Sequence, residues 1–213
     1  MHFVKAFLRL FFKLLYHQFA FTYDLVAAAV SFNRWKDWVE CVIPFIEGSR
    51  VLELGHGPGH LQRFLLSLGL NAVAIDESPE MGNLARRNTR SSARLARGLA
   101  QMLPFHDGSF DSIVSTFPTE YIFDPRTLGE ARRCLVHGGR LIALPVAMPK
   151  NRFLVWLYKF TGESPGEAED IIRRRLMGPF AKAGFETEIY IHDERSSRLF
   201  IVLARRNHVE NNS

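Results

Sequence analysis

The run Val51-Leu52-Glu53-Leu54-Gly55-His56-Gly57-Pro58-Gly59-His60-Leu61 restricts the fold most. An apolar segment ends in an acidic residue and then in glycines at alternate positions. Leu61, Phe64, Leu65 and Leu68 follow on one helical face, which predicts a helix over Leu61–Leu70. The order is strand, tight loop, helix. Glycine has no side chain, so a ligand can lie against the backbone. The unpaired N–H groups at the helix start point at whatever fills the loop. A dinucleotide fingerprint reads G-x-G-x-x-G, and here His60 stands where its third glycine belongs. The pattern is instead G-x-G-x-G, with Glu53 two residues ahead. A second apolar run, Asn71 to Ile75, leads to Asp76. A carboxylate there, about 20 residues past the glycines at a strand end, is placed to accept ribose hydroxyls.

At 213 residues the chain is long enough for one domain with a real core. The net charge of +5 includes arginine clusters at Arg86-Arg87-Arg90-Arg94-Arg97, Arg173-Arg174-Arg175 and Arg205-Arg206. Solvated helix faces explain such clusters, and so does an anionic partner. No aromatic-interleaved basic motif or zinc pattern points to nucleic acid. Two cysteines, Cys41 and Cys134, in apolar surroundings read as buried thiols of a reducing compartment. The eight histidines have no metal-ligand spacing, so no metal site is expected.

Later blocks sharpen the reading. Asp76-Glu77-Ser78-Pro79-Glu80-Met81 offers Ser78 as N-cap and Pro79 at the first helical position, with a helix to about Arg90. Arg94 to Arg97 is a short strand. Leu99-Ala100-Gln101-Met102-Leu103-Pro104-Phe105 precedes Gly108-Ser109-Phe110-Asp111. Ser112 to Ser115 is a buried strand, followed by the loop Thr116-Phe117-Pro118-Thr119-Glu120-Tyr121. A helix over Asp124–Val136 leads through Gly138-Gly139 to a strand, Arg140 to Leu144, ended by Pro145 and Pro149. Taken together, Arg50 to Leu144 resembles the class I S-adenosylmethionine (SAM) methyltransferases, in the ubiquinone/menaquinone-biosynthesis branch of methyltransferase type 11.

That resemblance implies an α/β fold. It is a seven-stranded, Rossmann-like sandwich of order 3-2-1-4-5-7-6, with strand 7 antiparallel and N-terminal helices. Phe185 to Ile191 and Leu199 to Ala204 suit its C-terminal hairpin, after a helix over Glu167–Ala183 that Met177-Gly178-Pro179 can kink. The implied cofactor is SAM. The positions that match the family's cofactor motifs are Tyr23, Glu53, Gly55, His56, Gly57, Gly59, Asp76, Glu77, Met81, Ala100, Gln101, Thr116 and Phe117. Glu53 would hold the methionine end, Met81 would touch adenine or ribose, and Tyr23 would close over the ligand. Glu120 and Tyr121, on the loop at the carboxyl end of strand four, are the candidate catalytic residues, as base or hydrogen-bond partner. His106 is a further titratable group. One departure stands out. The family places Asp where this chain has Leu99, so the adenine amino group loses an acceptor, a change of about 1 kcal/mol.

The flanks set the expected acceptor. Residues 3–20 are dense in Phe and Leu, with Lys5, Arg9, Lys13 and His17 as a narrow polar stripe on a helix. Charges at every turn rule out a transmembrane span. Packing as a lid, lying in a membrane interface, and pairing with a second subunit remain open. Tyr23-Asp24 and Ser31-Phe32-Asn33-Arg34-Trp35-Lys36-Asp37-Trp38 resemble the cap of the same branch. Phe153 to Phe160 is a further aromatic segment. The organisation expected is a helical cap over 1–48, a SAM-binding domain over 49–206 and a disordered tail over 207–213. The function implied is methyl transfer to a small, lipophilic acceptor such as a quinone-like ring or lipid, in the cytoplasm; contact with the cytoplasmic face of a membrane belongs to the interface reading of residues 3–20 alone. The alternatives are a non-catalytic SAM-binding or scaffold protein, and an NAD enzyme that His60 and the hairpin disfavour.

Overall fold

A computed structural model describes residues 35–149, 165–194 and 197–207. Tyr23, the helix expected over 3–20, the aromatic run 153–160 and the tail beyond Asn207 lie outside the described residues. The described chain opens with α1 (Trp35–Glu40) and a 3-10 turn (Ile43–Phe45). Then β1 (Arg50–Leu54), α2 (His60–Ser67), β2 (Asn71–Asp76), α3 (Pro79–Asn88) and β3 (Arg94–Arg97) alternate. β4 (Phe110–Thr116), a 3-10 turn (Glu120–Phe123), α4 (Pro125–Cys134) and β5 (Leu135–Pro149) follow. α5 (Pro165–Lys182), β6 (Phe185–Asp193) and β7 (Ser197–Arg206) complete it.

One seven-stranded sheet runs β3-β2-β1-β4-β5-β7-β6. β1, β2, β3, β4 and β5 pair in parallel, and β7 is antiparallel to both neighbours. This is the topology expected from the sequence. A central parallel strand is buried on both faces, which is why Val51, Leu52, Leu54, Ile113 and Val114 form near-continuous apolar runs. Alternation sorts them into two cores. Leu52, Leu54 and Ile113 face α4 and α5 with Leu128, Phe180 and Phe185. Val51, Val114, Ile142 and Ile201 face α1 and α2 with Trp38, Leu61 and Leu65. Glu53 shares the parity of Val51, so it points toward α1 and α2.

Local chemistry sets the ends of the elements. Ser78 caps α3 by accepting from Met81 N–H at 3.2 Å, as its position predicts. Asp124 caps α4 by accepting from Arg126 N–H at 2.9 Å. Asp111 accepts from the Ser49 and Arg50 N–H groups and pairs with the Arg50 guanidinium, which pins the start of β1 to β4. Two boundaries differ from expectation. α4 stops at Cys134, because Leu135 is already extended and paired with Phe110. β5 does not end at Pro145. The register with β7 shifts between Ala143 and Val146, and a bulge there absorbs the proline before pairing resumes. Cys134 is buried as expected, but Cys41 is only half-buried, and neither is in a disulfide.

The 3-10 turn after β4 rests on α5. The Phe123 ring meets the fully buried Phe180 edge to face, with centroids 6.1 Å apart. Phe180→Ala is expected to cost about 3–5 kcal/mol of stability, measured by urea denaturation, because the site is packed from two elements and cannot collapse.

Candidate cofactor site

The crevice exists because β1 and β4 part. Their register runs from Val51↔Ser112 to Glu53↔Val114 and stops. On the other side β1 stays paired with β2 through Leu54↔Ile75, and Gly55 N–H still donates to Ile75 O at 2.8 Å. A crevice open to solvent lies past the divergence, at the carboxyl end of β1. It is lined by Val39 of α1, Glu53, the loop Gly55 to Pro58, His60, Leu61 and Thr116. Open parallel sheets hold ligands at this point.

Glu53 is the unusual group. It is 1% exposed, and its Oε2 has no hydrogen-bond partner. Burial pushes its pKa up to about 8; Gln62 beside it pulls the other way, and the Asp76 charge adds to the rise. The buried Gln62 amide is near enough to act on the carboxyl group but does not reach hydrogen-bond geometry with it, and neither of its polar atoms has another partner. Buried polar atoms are nearly always bonded, so an orphaned carboxylate oxygen at a crevice floor marks a place for a donor.

Asp76 ties the loop to β2. Its Oδ2 accepts from Gly57 N–H at 2.9 Å and its Oδ1 from Ser78 N–H at 2.9 Å. Each oxygen keeps a second lone pair for a ligand hydroxyl. Gly57 has φ +49°, and a Cβ there would meet nothing within 4 Å. The position is open toward the crevice, and a side chain would fill it. His56 is buried, and its Nδ1 lies 2.7 Å from Gly57 O. A carbonyl only accepts, so Nδ1 carries the proton and the ring braces the loop. Gly59 is the N-cap of α2.

At the mouth, Thr116 lines the crevice and Phe117 follows with φ +49°. A bulky residue in that region carries strain of about 1–3 kcal/mol, which concentrates at functional sites. Its N–H donates to Leu144 O at 2.8 Å, and its ring packs on Trp38 with centroids 5.8 Å apart. Met81 on α3, 38% exposed, and the exposed Glu77 just ahead of that helix are not among the residues lining the crevice. Leu99 is half-exposed after β3. Ala100 packs on the core, and the Gln101 amide reaches Asp124 at 3.4 Å.

The two residues expected to be catalytic separate. Glu120 is exposed at the start of the 3-10 turn. The Tyr121 hydroxyl turns inward, 3.0 Å from Leu54 O and 2.9 Å from Ser115 Oγ. Burial raises its pKa well above the ordinary tyrosine value; the Ser115 bond opposes this, and Asp76, Glu53 and Glu77 reinforce it. That is the place of a strut, not of a base. Tyr23 is outside the described residues. Sequence reasoning missed Gln62, Val39 and Ser115. Gln62 carries a signal in retrospect, an amide beside Leu61 at the start of an apolar helix face.

The fold and crevice define a class I methyltransferase domain, and comparison with known proteins agrees. Residues 52–143 match the family described as a methyltransferase domain. A demethylmenaquinone methyltransferase of Thermus thermophilus is 32% identical over 154 residues, covering 68% of this chain and 70% of that one. The Thermotoga maritima protein of the same name is 32% identical, covering 68% and 66%. A ubiquinone/menaquinone biosynthesis C-methyltransferase of Geotalea uraniireducens is 29% identical, covering 65% and 64%. A solved SAM-dependent methyltransferase of Methanosarcina mazei shares the fold with a TM-score of 0.57 at 20% identity, covering 78% of this chain and 97% of that one. The chain belongs to the class I SAM methyltransferases, in the branch of the ubiquinone/menaquinone-biosynthesis enzymes. It spans just under two thirds of the Thermotoga and Geotalea relatives.

The crevice fits SAM, the family's cofactor. An unpaired buried carboxylate faces the crevice, Gly57 beside it leaves open the space a side chain would take, and Asp76 has acceptor capacity to spare. Glu53 also sets a pH dependence. The unfolded carboxyl titrates near 4.5 and the folded one near 8, so the folded state holds the extra proton between these values. Stability of the ligand-free protein therefore falls as pH rises through that window, by on the order of a few kcal/mol. Glu53→Gln is expected to flatten this slope and raise the melting temperature at pH 8, read by calorimetry from pH 5 to 8.5.

Proposed function

We propose that the protein transfers a methyl group from SAM to a small, apolar acceptor of the quinone-ring or lipid kind. The unpartnered Glu53 carboxylate beside the glycine loop carries this reading. Bound SAM supplies an electrophilic methyl group on a positively charged sulfur. Glu53 would hold the amino group of its methionine end by a charge-assisted bond. The loop from Gly55 to Gly59 would receive the ligand against bare backbone, and Asp76 would accept from the ribose hydroxyls. Glu77, Met81, Ala100 and Gln101 would flank the nucleoside.

In-line displacement draws much of its rate from holding nucleophile, carbon and leaving group in order. A reactive acceptor then needs no strong protein base. Glu120 is the titratable side chain nearest in sequence to Thr116 that remains exposed, and we assign it any proton the acceptor releases. The apolar acceptor rests on Val39 at the crevice, on the Trp38–Phe117 pair beside it, and on the names of the relatives. Among the described residues no helix is long and apolar enough to cross a membrane.

Titration calorimetry with S-adenosylhomocysteine tests the cofactor half. Wild type is expected to bind, and Glu53→Gln to bind roughly tenfold to a hundredfold more weakly. Below about pH 8 binding should release a proton from Glu53, seen as heats that change with the ionisation enthalpy of the buffer. Absence of binding in wild type sinks the reading. Labelled methyl transfer to a short-chain demethylated naphthoquinol, compared with a soluble catechol, tests the acceptor. Preference for the catechol rejects the apolar assignment, and binding without any transfer favours a non-catalytic role.

A further inference from the structure

We infer that Tyr121 is a positioning residue whose hydroxyl, with that of Ser115, latches the last carbonyl of β1 where the sheet parts and so seats Gly55 and Glu53 beneath the ligand. The inference rests on reading the crevice as the cofactor site. Ladder geometry explains why a latch is needed. Asn71 N–H donates to Ser49 O and Gly55 N–H to Ile75 O, so odd-numbered residues here bond toward β2. Even-numbered residues, Leu54 included, point their backbone groups toward β4. The β1–β4 pairing ends at Glu53↔Val114, one residue short of Leu54. A buried carbonyl at that point needs a donor from elsewhere.

Two side chains supply it. Ser115 Oγ lies 2.9 Å from Leu54 O, the Tyr121 hydroxyl 3.0 Å from it, and the hydroxyls 2.9 Å from each other. Two protons serve three contacts. Either hydroxyl can bond the carbonyl while the other bonds its neighbour, so Leu54 O is satisfied both ways. The tyrosine arrives from the 3-10 turn Glu120–Phe123, which Phe180 supports from beneath.

The next residue shows that the latch is fitted to the loop. Gly55 has φ +71°, and a Cβ built on it would run into the Tyr121 hydroxyl. The next ring atom, Cζ, would be 3.3 Å away, a contact that a small shift relieves. The hydroxyl therefore occupies the volume that the missing side chain leaves. Glycine at 55 is required by Tyr121 as well as by its own backbone angle. Any movement of that hydroxyl is felt by the loop and, two residues back, by Glu53.

A double-mutant cycle on the full chain tests this, read by S-adenosylhomocysteine calorimetry and by melting temperature. In the wild-type background Tyr121→Phe is expected to weaken binding about three- to tenfold, since Ser115 still serves Leu54 O. Gly55→Ala should weaken it by roughly a hundredfold, through strain and the clash. In the Gly55→Ala background the sign should reverse, with Tyr121→Phe strengthening binding at least severalfold by removing the clashing oxygen. Equal, same-direction effects in both backgrounds overturn the inference. So does a Tyr121→Phe protein that melts earlier but binds with unchanged affinity, which is what simple packing predicts. If neither Gly55→Ala protein folds, Tyr121→Phe combined with Ser115→Ala decides. A loss larger than the product of the single losses supports the latch, and a multiplicative loss rejects it. If wild type binds no S-adenosylhomocysteine, the cofactor reading fails by itself, and the same reversal in melting temperature still judges the latch.

Discussion

Two strands that run together for three residue pairs and then separate open the crevice. While β1 and β4 stay paired, their backbone groups satisfy each other and their side chains fill two cores. Where they part, a carbonyl loses its donor, a buried carboxylate is left without one and a loop gains room. Hydroxyls answer the first need, at Ser115 and Tyr121. Glycines answer the third. The second is left unanswered in the protein alone, and Glu53 stays buried with one bare oxygen. Interiors rarely tolerate such a group, and those that do tend to be sites where a ligand completes the set.

The loop is soft in composition and firm in its attachments. Asp76 grips it at Gly57, β2 grips it at Gly55, and His56 closes on the carbonyl of its neighbour. A glycine-rich segment held only by its ends would lose much conformational freedom each time a ligand bound. These bonds remove that freedom beforehand. Asp76 has two duties at once, because the lone pairs spent on Gly57 and Ser78 leave others facing outward. The strained Phe117 backbone, next to Thr116 at the crevice, makes the same point. It is fixed by Leu144 and Trp38 from two directions.

Most of the fold was legible from residue patterns. Apolar runs, the spaced glycines and the Ser78-Pro79 cap give strand, loop and helix, because these signals are local. The order of the strands came from resemblance, since pairing partners far apart leave no mark on spacing alone. Pro145 misled in the expected direction. Proline removes a ladder donor, yet a bulge let β5 continue past it. The site was legible in part. Glu53 and Gly57, singled out by motif spacing, line the crevice, and Asp76 bonds the Gly57 N–H. Tyr121 sits on the right loop, but which way its hydroxyl turns depends on the orphaned Leu54 carbonyl, and that depends on where a ladder stops. Gln62 was missed because one residue on an amphipathic helix is buried or exposed according to the neighbouring helix, α1, and not according to its own turn.

The two outer strands have a consequence for life in a crowded solution. An open sheet leaves unpaired backbone groups at each border, and a neighbouring chain can extend it there. β3 is only four residues long and carries an exposed arginine at each end, Arg94 and Arg97. β6 is longer and turns Glu186 and Glu188 outward, while Asp193 at its end is paired with Arg198. One border is cationic and the other anionic, so two copies meeting by the same border repel. Border-to-border contact of opposite kinds would bring the charges together, but it would also have to fit a short strand against a long one. Brevity on one side and charge on both thus disfavour extension of the sheet by a second copy.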